Sequence, residues 1–373
     1  MNINTIKHVS YKKILVRSTN WLGDAVMSTP FIDLLRRLFP EAFIEICALP
    51  YIAPVFENNP VVNKISTLTR DNGIKAAAGA IKAFMPWREL KYDLGISLPN
   101  SIGAALDLKR AGCREILGYN RGGRGFILTS KAPVTKEILC VHEIYYYMNL
   151  LRVFVNDDTN PAINEAFGGI SGGLEAAYKL YLNDAEIEKA RAELSGRGIT
   201  EGRDIILGIN PGAFFGPAKR WFTGRYAETV RSLASKFDNL KIMVFGAAAE
   251  EKIGEEICAG LTGRAFNMCA KTSIRELIAL ISRCSLFLTN DSGAMHIAAA
   301  FGVPITAVFG PTDHKSTYPL SRDYKIIRRE IKCSPCKKRI CPEGHHLCMK
   351  NIDAGLVIQS LTEDIERIKS CQK

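Results

Sequence analysis

Short apolar runs, bounded by turn-forming residues, recur along this chain and set its pattern. The first is KILVRS at 13–18, followed by runs at 43–49, 62–68, 92–98 and 115–119. Runs of this length, rich in β-branched residues, predict buried strands. Between them the period changes to that of a helix. After the polar loop TNWLGD come apolar Val26, Met27, Leu34, Leu35 and Leu38. Pro30 either kinks this helix or marks its true first turn after Ser28 and Thr29. Residues 73–90 predict an amphipathic helix with Lys75 and Lys82 on the wet side. Phe84, Met85 and Trp87 read as core, or as an apolar edge facing lipid. A further helix runs to about Gly112, and His142 starts another in VHEIYYYMNLL. Strands alternating with helices predict a parallel, doubly wound sheet.

GGISGG at 168–173 breaks this pattern near a domain junction, and 174–196 reads as a strongly charged helix. A second series begins at Asp204. Its strands are IILGI, KIMVF, AFNM, LFLT and ITAVF, with helices near 224–237, 249–260 and 273–283. Two α/β domains follow, with no obvious sequence repeat between them. The stretch 286–310 organises the second one. It predicts a buried strand (286–289), a polar loop (290–293), a small-residue helix (294–300) and another buried strand (304–309). Free N–H groups at that helix start, with Gly293 allowing close backbone approach and Asp291 or Ser292 beside it, favour a phosphorylated, hydroxyl-bearing ligand. An ordinary capped turn is the alternative.

Composition narrows this picture only partly. The 373 residues suffice for two cores, and 47% hydrophobic with 23% charged residues excludes a disordered chain. The net charge of +11 suits an acidic substrate, an anionic membrane or nucleic acid. No segment approaches the roughly 18 uninterrupted apolar residues of a membrane span. The N-terminal MNINTIKHVSYKK has no apolar core, so no secretory signal is expected. Eleven cysteines, mostly single, point to a reducing cytoplasm and buried thiols.

Ligands of doubly wound sheets bind outside the carboxyl ends of the strands. Four stretches fall there: 19–24, NPGAFFGPAKRW (210–221), 247–251 and the NDSG turn. Lys219 and Arg220 can neutralise a diphosphate, and Glu250 or Glu251 can accept from ribose hydroxyls. No G-x-G-x-x-G follows either first strand and no Walker A motif exists, which disfavours NAD and P-loop chemistry. A nucleotide-sugar transferase fits.

At WLGDAVMSTP, NPGAFFGPAKRW, NMCAKTSIRELIALI and TNDSGAMHIAAAFGVPITAVFGPT the chain resembles the lipopolysaccharide heptosyltransferase family, closest to its heptosyltransferase II branch. Weaker likeness at GYNRGGRGFILT and VHEIYYYMNLL fills the middle, and the resemblance covers about 13–355. It implies a GT-B glycosyltransferase: two Rossmann-like doubly wound domains facing across a cleft. Residues 1–183 would bind the acceptor and 184–355 the donor, with a helix at 356–373 packing back on the N-terminal domain. The donor would be ADP-L-glycero-β-D-manno-heptose. The acceptor would be the lipid A-linked inner-core oligosaccharide of Kdo and heptose, on the inner face of the inner membrane. No cofactor is required for catalysis, and nucleic acid is not a partner.

The resemblance assigns Asp24 as the base of an inverting transfer; its alternative role is helix capping. It places Lys219 and Arg220 on the donor phosphates and Asp291 on donor sugar hydroxyls. Ser292 and Gly293 would take phosphate oxygens, Asn267 and Met268 would lie near adenosine, and Glu250 or Glu251 would hold ribose. His296 reads as a packed residue. Six basic residues and one acid occupy 109–131, either a solvated loop or a groove for an anionic acceptor. Asn20, Arg121, Arg124 and His142 are the acceptor-side candidates.

Cys333, Cys336, Cys341 and Cys348 are spaced C-x2-C-x4-C-x6-C, with His345 and His346 inside. They could hold a structural zinc or form a reduced loop. Basic residues around them, Lys337, Lys338 and Arg339 among them, could meet anionic lipid or core phosphates. Two other readings stand beside the leading one. One is heptosyltransferase I, or another ADP-heptose-dependent transferase with a different acceptor. The other is a basic, zinc-stabilised nucleic-acid-binding protein, which leaves Asp24, Lys219 and the NDSG turn unexplained.

Overall fold

A computed structural model describes residues 11–69, 84–154 and 178–371. The chain divides into two units, Met1–Tyr181 and Leu182–Lys373. The first holds a parallel sheet of β1 (Lys13–Arg17), β2 (Phe43–Ala48), β3 (Lys64–Thr67), β4 (Leu94–Ser97), β5 (Glu115–Tyr119) and β6 (Ser130–Ala132). Their order is β3-β2-β1-β4-β5-β6. β1 lies between β2 and β4, pairing Lys13 with Phe43 and Ile14 with Leu94. Its Ile14, Leu15 and Val16 are buried, as a strand covered on both faces requires.

The helix after β1 is two helices, α1 (Leu22–Met27) and α2 (Thr29–Leu38), and Pro30 sits in the first turn of α2. The break at Ser28 is stabilised locally. Its hydroxyl donates to Ala25 O (2.8 Å), and Thr29 Oγ1 donates to Val26 O (2.8 Å). Next come α3 (Ile102–Arg110), capped by the Ser101 side chain, and α4 (Glu143–Met148), capped by His142. Of the predicted 73–90 helix, 84–90 is helical and the remainder lies outside the described residues. Phe84 and Trp87 are core while Met85 is exposed, so the reading of all three as a lipid-facing edge is corrected. Trp87 Nε1 (2.7 Å) and the Tyr92 hydroxyl both donate to Glu45, a fully buried carboxylate that needs such partners.

The second unit repeats this plan. It holds β7 (Ile205–Asn210), β8 (Leu240–Val244), β9 (Ala265–Asn267), β10 (Leu286–Asn290), β11 (Ile305–Phe309) and β12 (Tyr324–Arg328). The order β12-β11-β10-β7-β8-β9 has the same connectivity as the first sheet, with the first strand beside the fourth. The helices are α5 (Asp184–Gly196), α6 (Thr223–Lys236), α7 (Glu251–Cys258), α8 (Ile274–Ile281), α9 (Gly293–Ala300) and α10 (Ala354–Cys371).

One expectation changes here. The charged helix does not begin at 174: residues 178–183 are not helical, and 174–177, like GGISGG, lie outside the described residues. Its start is set by a capping box, in which Asn183 and Glu186 each bond the other's backbone N–H. The C-terminal helix buries Val357, Leu361 and Ile365 in the second unit's own core with Leu233, Leu240 and Val308. Among the described residues, no helix is long and apolar enough to cross a membrane.

Candidate active site

In a doubly wound sheet the crevice opens where the strand order reverses, at the carboxyl ends of the two central strands. In the second unit these are β7 and β10, so the loops after them meet although their sequences are distant. Asn290 ends β10 and is fully buried. Its Oδ1 accepts from Trp221 N (3.0 Å) and the Tyr226 hydroxyl (2.9 Å), and its Nδ2 donates to Pro211 O (2.7 Å). One amide thus ties the β10 end to both ends of the loop 211–221.

That tie brings Lys219 onto Asp291. Lys219 closes a one-turn 3-10 helix, Pro217–Lys219, and its Nζ lies 2.7 Å from Asp291 Oδ2. Both side chains are largely buried, so this pair is screened less than a surface pair. Ser292 is the N-cap position of α9 and Gly293 its first residue. The Ser292 hydroxyl meets Thr289 Oγ1 at 2.9 Å, and no side-chain cap bond forms. The N-terminus of α9 therefore adjoins a lysine and a carboxylate at the switch point.

Arg220 faces the other way, to Glu250. Its Nη2 is 3.2 Å from Glu250 Oε1, while Oε2 accepts from Ala247 N at 2.8 Å. Two glycines make room for this buried carboxylate. A Cβ on Gly212 would stand 2.1 Å from Glu250 Oε1, and one on Gly246 would stand 2.9 Å from Oε2. Asn267 turns the chain after β9, donating to Glu251 O (3.0 Å) and accepting from Cys269 N (3.1 Å). Met268 is buried and lines a cavity of about 170 Å³ between α5 and α8, with Lys189, Lys271, Thr272 and Arg275. His296 is buried on α9. Lys219, Arg220, Asp291 and Glu250 are thus joined as two ion pairs on neighbouring loops, whereas Asn267 and Met268 stand further along the sheet, at the end of β9.

In the first unit the corresponding loops follow β1 and β4. Arg17, at the end of β1, is fully buried. It pairs with Asp107 (3.1 Å) and donates to Asn20 Oδ1 (2.8 Å), which fixes the loop leading to Asp24. Asp24 is in the first turn of α1, but the N-cap position is Trp21. The Tyr147 hydroxyl on α4 donates to Asp24 Oδ1 at 3.1 Å. Burial, then the Asp24 charge, pushes the Tyr147 hydroxyl well above its ordinary range, so it is a donor throughout the working pH range.

The acceptor-side candidates separate. Asn20 is half-buried and held by Arg17, and Arg121 is exposed. Arg124 is corrected: it is fully buried, with donors directed at Tyr119 O, Ser97 Oγ, Pro99 O and Asn100 Oδ1. Burial lowers it to about 10. It braces the loop after β4 and presents no cation to a ligand. His142 is buried as the α4 cap, with Nδ1 accepting from Ile144 N (3.2 Å).

A structural zinc is not shown. Among the described residues no group of three or more His, Cys, Asp or Glu is arranged to hold a metal. Two of the sulfurs have contacts within their own loop: Cys333 Sγ lies 3.9 Å from His345 Nε2, and Cys341 Sγ accepts from His346 N at 3.4 Å.

Asn290, Arg17 and Tyr147 escaped the sequence reading. An amide side chain closing the buried strand LFLTN was a usable signal for Asn290. Nothing local distinguished Tyr147 among three consecutive tyrosines.

The chain and its fold are shared with known proteins. Lipooligosaccharide heptosyltransferase 2 of Campylobacter jejuni (strain 81116) is 38% identical over 354 residues, covering 94% of this chain and 98% of that one. Lipopolysaccharide heptosyltransferase 2 of Escherichia coli K12 is 29% identical over 358 residues, covering 94% and 97%. The solved structure of E. coli ADP-heptose LPS heptosyltransferase II superposes with a TM-score of 0.77 at 27% identity, covering 96% of this chain and 99% of that one. The two-domain α/β architecture is therefore that of a GT-B glycosyltransferase. Residues 86–347 match glycosyltransferase family 9 (heptosyltransferase), and the chain belongs to that family.

Proposed function

We propose that this protein is heptosyltransferase II: it moves L-glycero-D-manno-heptose from ADP-heptose to the first heptose of the lipopolysaccharide inner core, inverting the anomeric centre. The observation that carries the reading is the Lys219–Asp291 pair beside Arg220–Glu250 at the β7/β10 switch point, within a family 9 chain. The second unit takes the donor. Lys219, Arg220 and the N-terminus of α9 neutralise the diphosphate, Asp291 holds sugar hydroxyls and Glu250 the ribose. Asn267 and Met268 border adenosine.

The first unit takes the acceptor, with Asn20 and Arg121 near it. The acceptor hydroxyl oxygen attacks the anomeric carbon while Asp24 takes its proton. The bond from that carbon to the β-phosphate oxygen breaks, and ADP departs with the electron pair. Fixed cations placed where negative charge develops lower the barrier most effectively. Because the acceptor is a lipid, the enzyme works as a peripheral protein at the cytoplasmic face of the inner membrane, where its excess of basic residues favours anionic lipid. The nucleic-acid reading leaves the family 9 match and the Lys219–Asp291 pair unexplained.

The test is transfer from ADP-heptose to Kdo2-lipid A carrying one heptose, beside the same acceptor carrying none. Turnover is expected with the heptose-bearing acceptor only. Asp24→Asn should abolish it while ADP binding persists. Transfer to the bare acceptor would indicate heptosyltransferase I instead.

A further inference from the structure

The cysteine-rich loop, to which the reaction assigns no part, lies against the loop that carries Lys219. Ala218, the buried residue before Lys219, has both polar backbone groups occupied by it. Its N–H donates to Arg339 O (3.1 Å), and its carbonyl meets His346 Nε2 at 2.7 Å. A carbonyl carries no hydrogen, so Nε2 must be the protonated ring nitrogen and the donor. Backbone approach at Gly216 is equally close: a Cβ there would stand 2.5 Å from Arg339 O. The Lys219 ammonium and the Arg339 guanidinium share the Phe215 ring, at 5.0 and 5.5 Å from its centroid. The His346 ring packs on Phe222, 5.6 Å between centroids.

The cysteine-rich loop is itself held to the sheet. Ser334 Oγ donates to Gly310 O (2.6 Å) and Lys337 N to Pro311 O (2.7 Å), just beyond β11. The His346 backbone is left-handed, φ 52°, and its N–H donates to Cys341 Sγ, which fixes the ring's direction. A chain of contacts therefore runs from the end of β11, through the cysteine-rich loop, to the peptide that carries Lys219.

From this we infer that the cysteine-rich loop is a brace for the donor-phosphate lysine, and that His346 is its positioning residue. The inference rests on the reading of Lys219 as the diphosphate ligand. His346 touches no reacting atom; it holds the Ala218–Lys219 peptide so that the ammonium meets the phosphates without reordering on binding. Preorganisation of this kind shows in affinity for the nucleotide. It leaves the acceptor untouched.

The experiment uses the full chain with ADP and ADP-heptose as probes. His346→Phe keeps a ring against Phe222 and removes the donor. His346→Gln keeps an N–H donor at a similar reach. We expect His346→Phe to weaken ADP binding, measured by calorimetry, and to raise the KM for ADP-heptose, each by about 3- to 10-fold, the scale of one lost buried hydrogen bond. The acceptor KM should not move, and His346→Gln should recover most of the loss. Unchanged ADP affinity in His346→Phe, with Lys219→Ala abolishing it, overturns the brace. Lys219→Ala binding ADP normally overturns the donor reading beneath it. An equal fall in melting temperature and in both KM values for the Phe and Gln variants marks His346 as merely structural, and also overturns the inference.

Discussion

Asn290→Ala removes the amide that ties the end of β10 to the 211–221 loop in the second unit. The side chain is fully buried and makes three short hydrogen bonds, to Trp221 N, the Tyr226 hydroxyl and Pro211 O. Trp221 and Tyr226 are buried too, so water cannot simply replace the amide. Each buried group left without a partner costs about 1–3 kcal/mol. Three such groups, with some relaxation around the vacated volume, give about 3–6 kcal/mol. Against a domain stability of about 5–15 kcal/mol this is a large fraction. It corresponds to a fall in melting temperature of roughly 6–24 °C for a unit of this size. Thermal unfolding followed by tryptophan fluorescence is the assay, since Trp221 sits on the affected bond. Asn239→Ala is the control: its amide donates only to Arg203 O at the surface (3.0 Å), and a shift within about 0.5 kcal/mol is expected. ADP affinity should fall with Asn290→Ala, because the Lys219 loop loses its tie to β10. A melting temperature indistinguishable from wild type would refute the reasoning that one amide organises this half.

Two further outcomes follow from the same geometry. Tyr147→Phe removes the donor to Asp24 Oδ1 and should lower kcat about 10-fold, with ADP affinity and melting temperature unchanged. In an Asp24→Asn background it should cause no further loss, and additive losses in a double-mutant cycle would show that the two do not act together. Glu276 is held down from 4.5 to about 2, first by the Lys189 side chain and then by its capping bonds to Ser273. A depressed carboxyl stabilises the fold above its unfolded value, so that stability is present above pH 4.5 and is lost as pH falls toward 2. Urea midpoints measured across that window should flatten in Glu276→Gln, and an unchanged pH slope would show that the pair contributes nothing.

The elements legible in the sequence are those whose signal is local. β1, β2, β7, β10 and β11 were visible as short apolar runs because both faces of a parallel sheet are covered. Of the four edge strands, β3 and β9 were visible too, but β6 and β12 were not: SKA is only three residues long, and YKIIR carries three charged or polar positions in five. The two domains share no visible repeat yet have the same strand order. Burial pattern and connectivity, not residue identity, are what the two halves have in common. The charged run at 109–131 shows the limit from the other side. Spacing alone could not separate exposed Arg121 from fully buried Arg124, because the carbonyls that receive Arg124 come from other segments of the chain.

By itself the sequence determined the two doubly wound domains, the four loops at their carboxyl ends and the charged residues those loops carry. Asp24, Lys219, Arg220, Glu250 and Asp291 could all be named from it, because turn chemistry and motif strings are short-range properties. Which of them meet was decided by tertiary structure. Lys219 reaches Asp291 across 72 residues, and Tyr147 reaches Asp24 across 123. Those meetings depend on β7 lying beside β10, and on α4 returning to α1, which no local period encodes. The cysteine-rich string makes the same point: its spacing suggested a metal, and only the tertiary structure shows that it packs against Ala218, beside Lys219. Side-chain period reports which face of an element is buried; strand order decides what is buried against it.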